Sequence, residues 1–174
     1  RMQLTHLHDD FYLIKDAFDD ATLQSLVGEF DNKHNWNKLL QDEHIRLEGN
    51  PIDTNLQQLH HEISSVVNNY FSTYSYPNTT QLWYDHEGYI NDIHCDLSPN
   101  LSANVQIYLC EGDTSMGTHC FIDDKWHSVP YVSNHGYLMF NPTQHKHGMR
   151  SPVIDKRMSL YQSFRTTETP SPIW

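Results

Sequence analysis

From Ala103 to Cys110 the chain alternates strictly, with Ala103, Val105, Ile107 and Leu109 at one parity and Asn104, Gln106, Tyr108 and Cys110 at the other. Such a run is a strand with one apolar and one polar face, because successive side chains in extended backbone leave on opposite sides. It does not stand alone. After Pro77, short runs of similar texture recur at Gln81 to His86, Ile90 to Asp96, Gly136 to Phe140 and Arg157 to Phe164, punctuated by Gly, Pro, Asn and Asp, with Glu87-Gly88 as a turn. Many short strands with turn signals between them make a sandwich or a barrel. A sandwich strand turns its polar face to water, whereas a barrel with a wet lumen can turn it inward. Asn104, Gln106 and Tyr108 therefore either line a pocket or form a solvated face, and the alternation leaves both open.

The first half of the chain reads differently. Phe11 to Ile14 is a short strand, and Asp19 or Asp20 can cap a helix whose apolar stripe is Leu23, Leu26, Val27 and Phe30. The polar stretch from Asp31 to Asn50, anchored only by Trp36, Leu39 and Leu40, is expected to be irregular. Thr54-Asn55-Leu56-Gln57 has the form of a capping box, and Leu56, Leu59, Ile63, Val66 or Val67, and Tyr70 continue a helical period. The expected fold class is thus mainly β with about two N-terminal α-helices. Residues 1–174 are read as a single domain, with a supporting strand and helices over about 8–75 and a β core over about 80–166. The segment from Thr166 to Trp174, with Pro170 and Pro172, should leave the sheet.

Composition narrows the function classes. Lys and Arg total 11 against 22 Asp and Glu, a formal charge of −11, which disfavours a surface built to neutralise phosphates. The charge therefore disfavours nucleic acid as a partner. Cys95, Cys110 and Cys120 contain no Cys-x-x-Cys pair, which argues against a zinc knuckle or a disulfide framework and fits a reducing, cytoplasmic compartment. No apolar run approaches 18 residues, so no membrane span is expected. Oligomeric state is not legible.

The chemistry is concentrated in a few positions. His94 and Asp96 are two residues apart, so on a strand they would project together while Cys95 turns away. With His147 they make a two-histidine, one-carboxylate set, the arrangement that suits Fe(II) with coordination positions left open for an oxidant and a co-substrate. Arg157 follows His147 by ten residues, and its planar fork suits a carboxylate. A dicarboxylate such as 2-oxoglutarate could chelate the metal at its keto-acid end and place its far carboxylate on that guanidinium. Ser159, at the same parity, could donate a hydroxyl to the same carboxylate, and Tyr84 could add a phenol. Each position has a plainer reading. With 13 histidines a His-x-Asp arises easily by chance; His145 competes with His147, two residues away; Arg150 is an alternative to Arg157; Tyr84 could be a core aromatic and Ser159 an ordinary strand hydroxyl.

Taken together, His94-Cys95-Asp96, His147 and Arg157-Met158-Ser159 resemble the His-x-Asp…His triad and Arg-x-Ser motif of the Fe(II)- and 2-oxoglutarate-dependent dioxygenase superfamily. The prolyl 4-hydroxylase branch is the nearest resemblance. Tyr84 lies where that branch places a tyrosine on the co-substrate, Gly117-Thr118-His119-Cys120-Phe121 resembles its Gly-x-Thr-x-Phe segment, and His147 through Val153 resembles its distal-histidine segment. The resemblance covers about residues 80 to 165. It departs from the branch at Met116-Gly117, where the family doubles a glycine, and at Arg157, where many prolyl hydroxylases carry lysine. It implies a double-stranded β-helix, a jelly-roll related to the cupins. It also implies Fe(II) held by His94, Asp96 and His147, the co-substrates 2-oxoglutarate and O2, and hydroxylation of a C–H bond with succinate and CO2 as co-products. The implied substrate is a prolyl residue in a peptide or protein, or a free amino acid or small metabolite. The competing class is a cupin-like metal-binding jelly-roll, an isomerase or sensor, without 2-oxoglutarate turnover; its sites usually carry more histidines and a glutamate.

Overall fold

The computed structural model describes residues 1–31, 36–41, 44–52, 56–71, 75–98 and 100–166. In chain order the elements are β1 (Gln3–His8), β2 (Phe11–Lys15), α1 (Asp20–Glu29), β3 (Asn37–Gln41), β4 (His44–Gly49), α2 (Gln57–Phe71), β5 (Ser75–His86), β6 (Leu101–Tyr108), β7 (Thr118–Ile122), β8 (Lys125–Val129), β9 (Gly136–Phe140), β10 (Lys146–Gly148) and β11 (Lys156–Thr166). Eight strands form one sheet in the order β1-β2-β9-β6-β11-β5-β4-β3, and β10-β7-β8 form a second. Every pairing within them is antiparallel. This is the jelly-roll class with two supporting helices.

The large sheet has two unlike faces, set by strand parity. Ala103, Val105, Ile107, Leu138, Phe140, Met158 and Leu160 pack in one cluster with Leu26 of α1 and with Leu56, Leu59, Ile63 and Val67 of α2 and its start. Each fully buried aliphatic side chain contributes roughly 1.5–3 kcal/mol, so this face carries much of the stability. The resolved cap of α1 is Asp19, whose carboxylate accepts from the Thr22 amide at 2.8 Å. The other face meets the small sheet. There Phe11, Tyr108, Tyr137 and Met139 pack with Cys120, Ile122 and Val129. Asn104, Gln106, Arg157, Ser159 and Ser163 are buried on that same inner side. The polar parity of β6 therefore faces inward.

Three expectations need correction, and one element, β1, is additional to them; among the described residues it pairs with β2 alone, at the sheet edge. The segment expected to be irregular between residues 31 and 50 contains the β3–β4 hairpin, which extends the sheet beyond β5. Its pattern is hidden because Arg46, a charged residue, occupies an inward position opposite Asp85. β5 starts at Ser75 and passes through Pro77, which is tolerated at an irregularity in its pairing with β11 between Ser163 and Phe164. Residues 90–96 are not a strand: only an isolated bridge joins His94 to His147. The backbone groups of this stretch are satisfied in pieces: the Asp96 amide donates to the Pro142 carbonyl at 3.1 Å, while the carbonyls of Asn91 and Tyr89 accept from the Met149 and Val153 amides at 2.7 and 2.8 Å. The capping-box residues Thr54 and Asn55 and the tail from residue 167 lie outside the described residues. Among the described residues no helix is long and apolar enough to cross a membrane.

Candidate metal centre and its cationic neighbour

His94 reaches the centre from the irregular 89–96 segment and His147 from the middle of β10, and paired backbone bonds of 2.9 and 2.8 Å hold the two residues side by side. His94 Nδ1 lies 2.6 Å from the Asp92 carbonyl and His147 Nδ1 lies 2.8 Å from the His145 carbonyl. A carbonyl only accepts, so both Nδ1 atoms carry hydrogen, which leaves both Nε2 atoms as the ones that could ligate a metal. These sit 3.1 Å and 3.3 Å from Asp96 Oδ1. One ligand atom from each of His94, Asp96 and His147 falls within a 4.8 Å span, the single such group among the described residues. The His147 side chain is 5% exposed and the His94 side chain 38%, so the group is walled on one side and open on the other.

Asp96 is held from behind. Its Oδ2 accepts from Asn104 Nδ2 at 2.6 Å, Asn104 Oδ1 accepts from the Tyr161 hydroxyl at 2.9 Å, and the Tyr161 ring stacks on Trp83 at 4.1 Å. Burial opposes ionisation of Asp96, but the bonds to His147, His94 and Asn104 outweigh it and hold the carboxyl below the usual range. The bond to Asp96, against burial, raises His94 above its ordinary value. A divalent ion would displace the protons that bridge these groups. Two imidazoles and one carboxylate, tautomers set and one side open, fit Fe(II).

Gly148 shapes this corner. Its φ of +151° lies in the region that favours glycine, and a Cβ there would stand 2.6 Å from the Asp92 carbonyl and 2.7 Å from that of Asn91. Gly148→Ala should therefore push the 91–94 segment off β10, costing about 1–3 kcal/mol of stability. Thermal unfolding and a metal titration check it: the variant should lose both melting temperature and metal affinity.

His145 is engaged elsewhere, its Nε2 on Asp10 at 2.7 Å while its carbonyl orients His147. Arg150 lies over the Trp126 ring, on the far side of the small sheet. Arg157 is inside, 1% exposed, with NH2 donating to Thr118 Oγ1 at 3.1 Å and NH1 to Asp85 Oδ2 at 3.3 Å, its fork 5.3 Å from the Tyr108 ring. Its buried Nε has no partner. Ser159 Oγ accepts from Gln106 Nε2 at 2.9 Å, and Gln106 Oε1 accepts from Thr118 and Tyr137 at 3.1 Å each. Ser159, Gln106 and Thr118 thus form a hydrogen-bonded floor beside the arginine.

Tyr84 does not join them. It pairs with Met158 and packs in the helix-side cluster, its ring against Phe30 and His86, while its neighbours Trp83 and Asp85 take the inward parity. The role expected for Tyr84 has no support in this geometry. Sequence reasoning missed Asp85 and Arg46. Alternation along β5 was the available signal, since it sets Trp83 and Asp85 opposite Leu82 and Tyr84.

No family model matches the chain, and no curated protein does. Solved structures do. A prolyl-4-hydroxylase from Pseudomonas putida superposes with a TM-score of 0.71 at 15% identity, over 91% of this chain and 93% of that one. The fold is that of the 2-oxoglutarate and Fe(II) oxygenases. A viral collagen prolyl hydroxylase from Paramecium bursaria Chlorella virus-1, solved with 2-oxoglutarate, matches at 0.67 and 9% identity over 90% and 96% of the two chains. So does the 2-oxoglutarate-dependent epimerase SnoN of nogalamycin biosynthesis, at 0.71 and 9% over 91% and 77%. The oxygenase fold thus serves prolyl hydroxylation and epimerisation alike, and substrate must be argued from the site.

Proposed function

We propose that this chain is an Fe(II)- and 2-oxoglutarate-dependent oxygenase that hydroxylates a C–H bond and releases succinate and CO2. The observation that carries the reading is the pairing, in one barrel interior, of an open two-histidine, one-carboxylate group with a buried guanidinium that lacks a full set of partners. His94, Asp96 and His147 hold the iron, and bound iron with 2-oxoglutarate supplies the oxidising chemistry. The protein's own residues bind and orient. Asn104 fixes one oxygen of Asp96 and leaves the other for the metal. Arg157, with the Ser159 hydroxyl beside it, receives the far carboxylate of 2-oxoglutarate. Burial of Arg157 in a water-poor interior strengthens that pairing. The substrate is a prolyl residue in a peptide or protein, or a free amino acid or small metabolite, approaching over the exposed edge of His94.

Anaerobic addition of 2-oxoglutarate to the Fe(II)-loaded protein should produce a weak visible charge-transfer band, and admission of O2 should then yield succinate. Iron binding with neither band nor succinate would favour a cupin-like metal protein. Screening prolyl peptides and amino acids for coupled succinate release identifies the substrate. Tyr84→Phe should leave the 2-oxoglutarate requirement within about two-fold of wild type, since the phenol faces the helices; a shift of ten-fold or more in steady-state succinate assays would return Tyr84 to the pocket.

A further inference from the structure

The described interior carries more charge than the proposed reaction uses. Arg46, on the edge-ward strand β4, points inward, is 4% exposed, and makes a two-pronged pair with the fully buried Asp85, Nε to Oδ1 at 2.6 Å and NH2 to Oδ2 at 3.0 Å. Its guanidinium lies 3.9 Å from the Trp83 ring centroid and 4.5 Å from that of Tyr89. Burial pulls this arginine towards neutrality, and Asp85 more than restores its charge. The same Asp85 Oδ2 also takes a longer, 3.3 Å bond from Arg157. Glu48, the other acid at this parity of β4, is half-buried and bonded by Gln81, and its charge supports Arg46 less than Asp85 does.

The charge count follows from these contacts. Two guanidinium groups share one carboxylate, so the cluster Arg46, Asp85 and Arg157 keeps one positive charge, and the geometry shows which arginine keeps it: Asp85 is saturated by Arg46 in a short bidentate pair and only grazes Arg157. Without Arg46, an ionised Asp85 would turn fully to Arg157 and cancel the charge that an incoming carboxylate needs.

We infer that Arg46 is a positioning residue for the co-substrate, which engages Asp85 so that Arg157 stays free to bind a dicarboxylate. This rests on the 2-oxoglutarate reading above and adds a residue to it. Arg46 does not touch the ligand in this scheme; it acts through Asp85. The pair is therefore more than a structural tie between β4 and β5, and the two roles make different predictions. A structural tie is lost equally when either or both partners are removed, whereas the charge role is restored when the acid is removed together with its arginine.

The test is 2-oxoglutarate affinity, read from the charge-transfer band of the anaerobic Fe(II) protein, with iron binding and melting temperature followed in parallel. Arg46→Met should weaken 2-oxoglutarate binding by about 100-fold while iron binding is kept, the scale of one unscreened charge a few ångströms away. Arg46→Met combined with Asp85→Asn should recover affinity to within about five-fold of wild type, the difference from the single variant being the coupling that a cycle isolates. Asp85→Asn alone, which leaves two uncompensated cations, should bind 2-oxoglutarate as tightly as wild type or more so, and it serves as the independent arm if Arg46→Met does not fold. An Arg46→Met affinity equal to wild type, a double variant no better than the single, or a large loss in Asp85→Asn overturns the inference while the wild-type band stands. A wild-type protein that binds iron but gives no band overturns the oxygenase reading and this inference with it.

Discussion

His94→Ala should abolish iron-dependent succinate formation, with the fold intact. The reason is local. His94 sits on an irregular segment held to β10 by backbone bonds that do not involve its imidazole, so truncation leaves the Asp96 and His147 positions in place. Its side chain is over one-third exposed, so little packing is lost. What is lost is one of the three proposed ligands. Removing a mere supporting partner of a ligand typically costs 10–100-fold in affinity, so losing the ligand itself should cost more than about 100-fold. Iron titration and succinate assay check the expectation, with circular dichroism as the control for folding. Full turnover in this variant would remove the triad from the chemistry.

Arg157→Ala should produce the second large effect, in a different quantity. Two charge-assisted hydrogen bonds to a carboxylate are each worth about 1.5–3 kcal/mol, so the 2-oxoglutarate requirement should rise by about 100-fold or more. Iron binding should change little, because the hydrogen bonds of Arg157 go to Thr118 and Asp85 and not to the three proposed ligands. Some stability should go too, since the side chain is among the largest fully buried ones. Arg157→Lys keeps the charge without the fork and should fall between the two. An unchanged requirement in Arg157→Ala would move the anchor elsewhere, and Arg46 rather than Arg150 is then the inward-facing cation to examine.

Much of this site was readable along the chain because its parts are close in sequence or share a strand. His94 and Asp96 are two residues apart, and Arg157 and Ser159 sit at one parity of β11, so local geometry alone brings each pair together. His94 and Asp96 meet as a strand would have placed them, but on a different backbone: an irregular segment with one bridge still brings His94 Nε2 within 3.1 Å of Asp96 Oδ1. Arg46 was hidden for an equally local reason, since an inward charge breaks the apolar alternation by which a strand is recognised. Nothing near Arg46 announces Asp85, which lies 39 residues further on.

The residue types, their order and their parity within each strand were decided by the sequence itself, and with them the two-histidine, one-carboxylate set, the mainly β character and the two covering helices; strand alternation alone left sandwich and barrel open, and the jelly-roll class came from the family resemblance. Which parity faces the lumen was decided only by the tertiary structure. Period-two alternation says that Tyr84 and Asp85 leave β5 on opposite sides, but it does not say which side the helices will cover. Packing of α1 and α2 against Leu82, Val105, Ile107 and Leu160 settles that, placing Tyr84 among the helices and Asp85, Asn104, Gln106 and Arg157 inside. The register between β4, β5 and β11 then brings Arg46, Asp85 and Arg157 to one level, a long-range fact that no single strand contains.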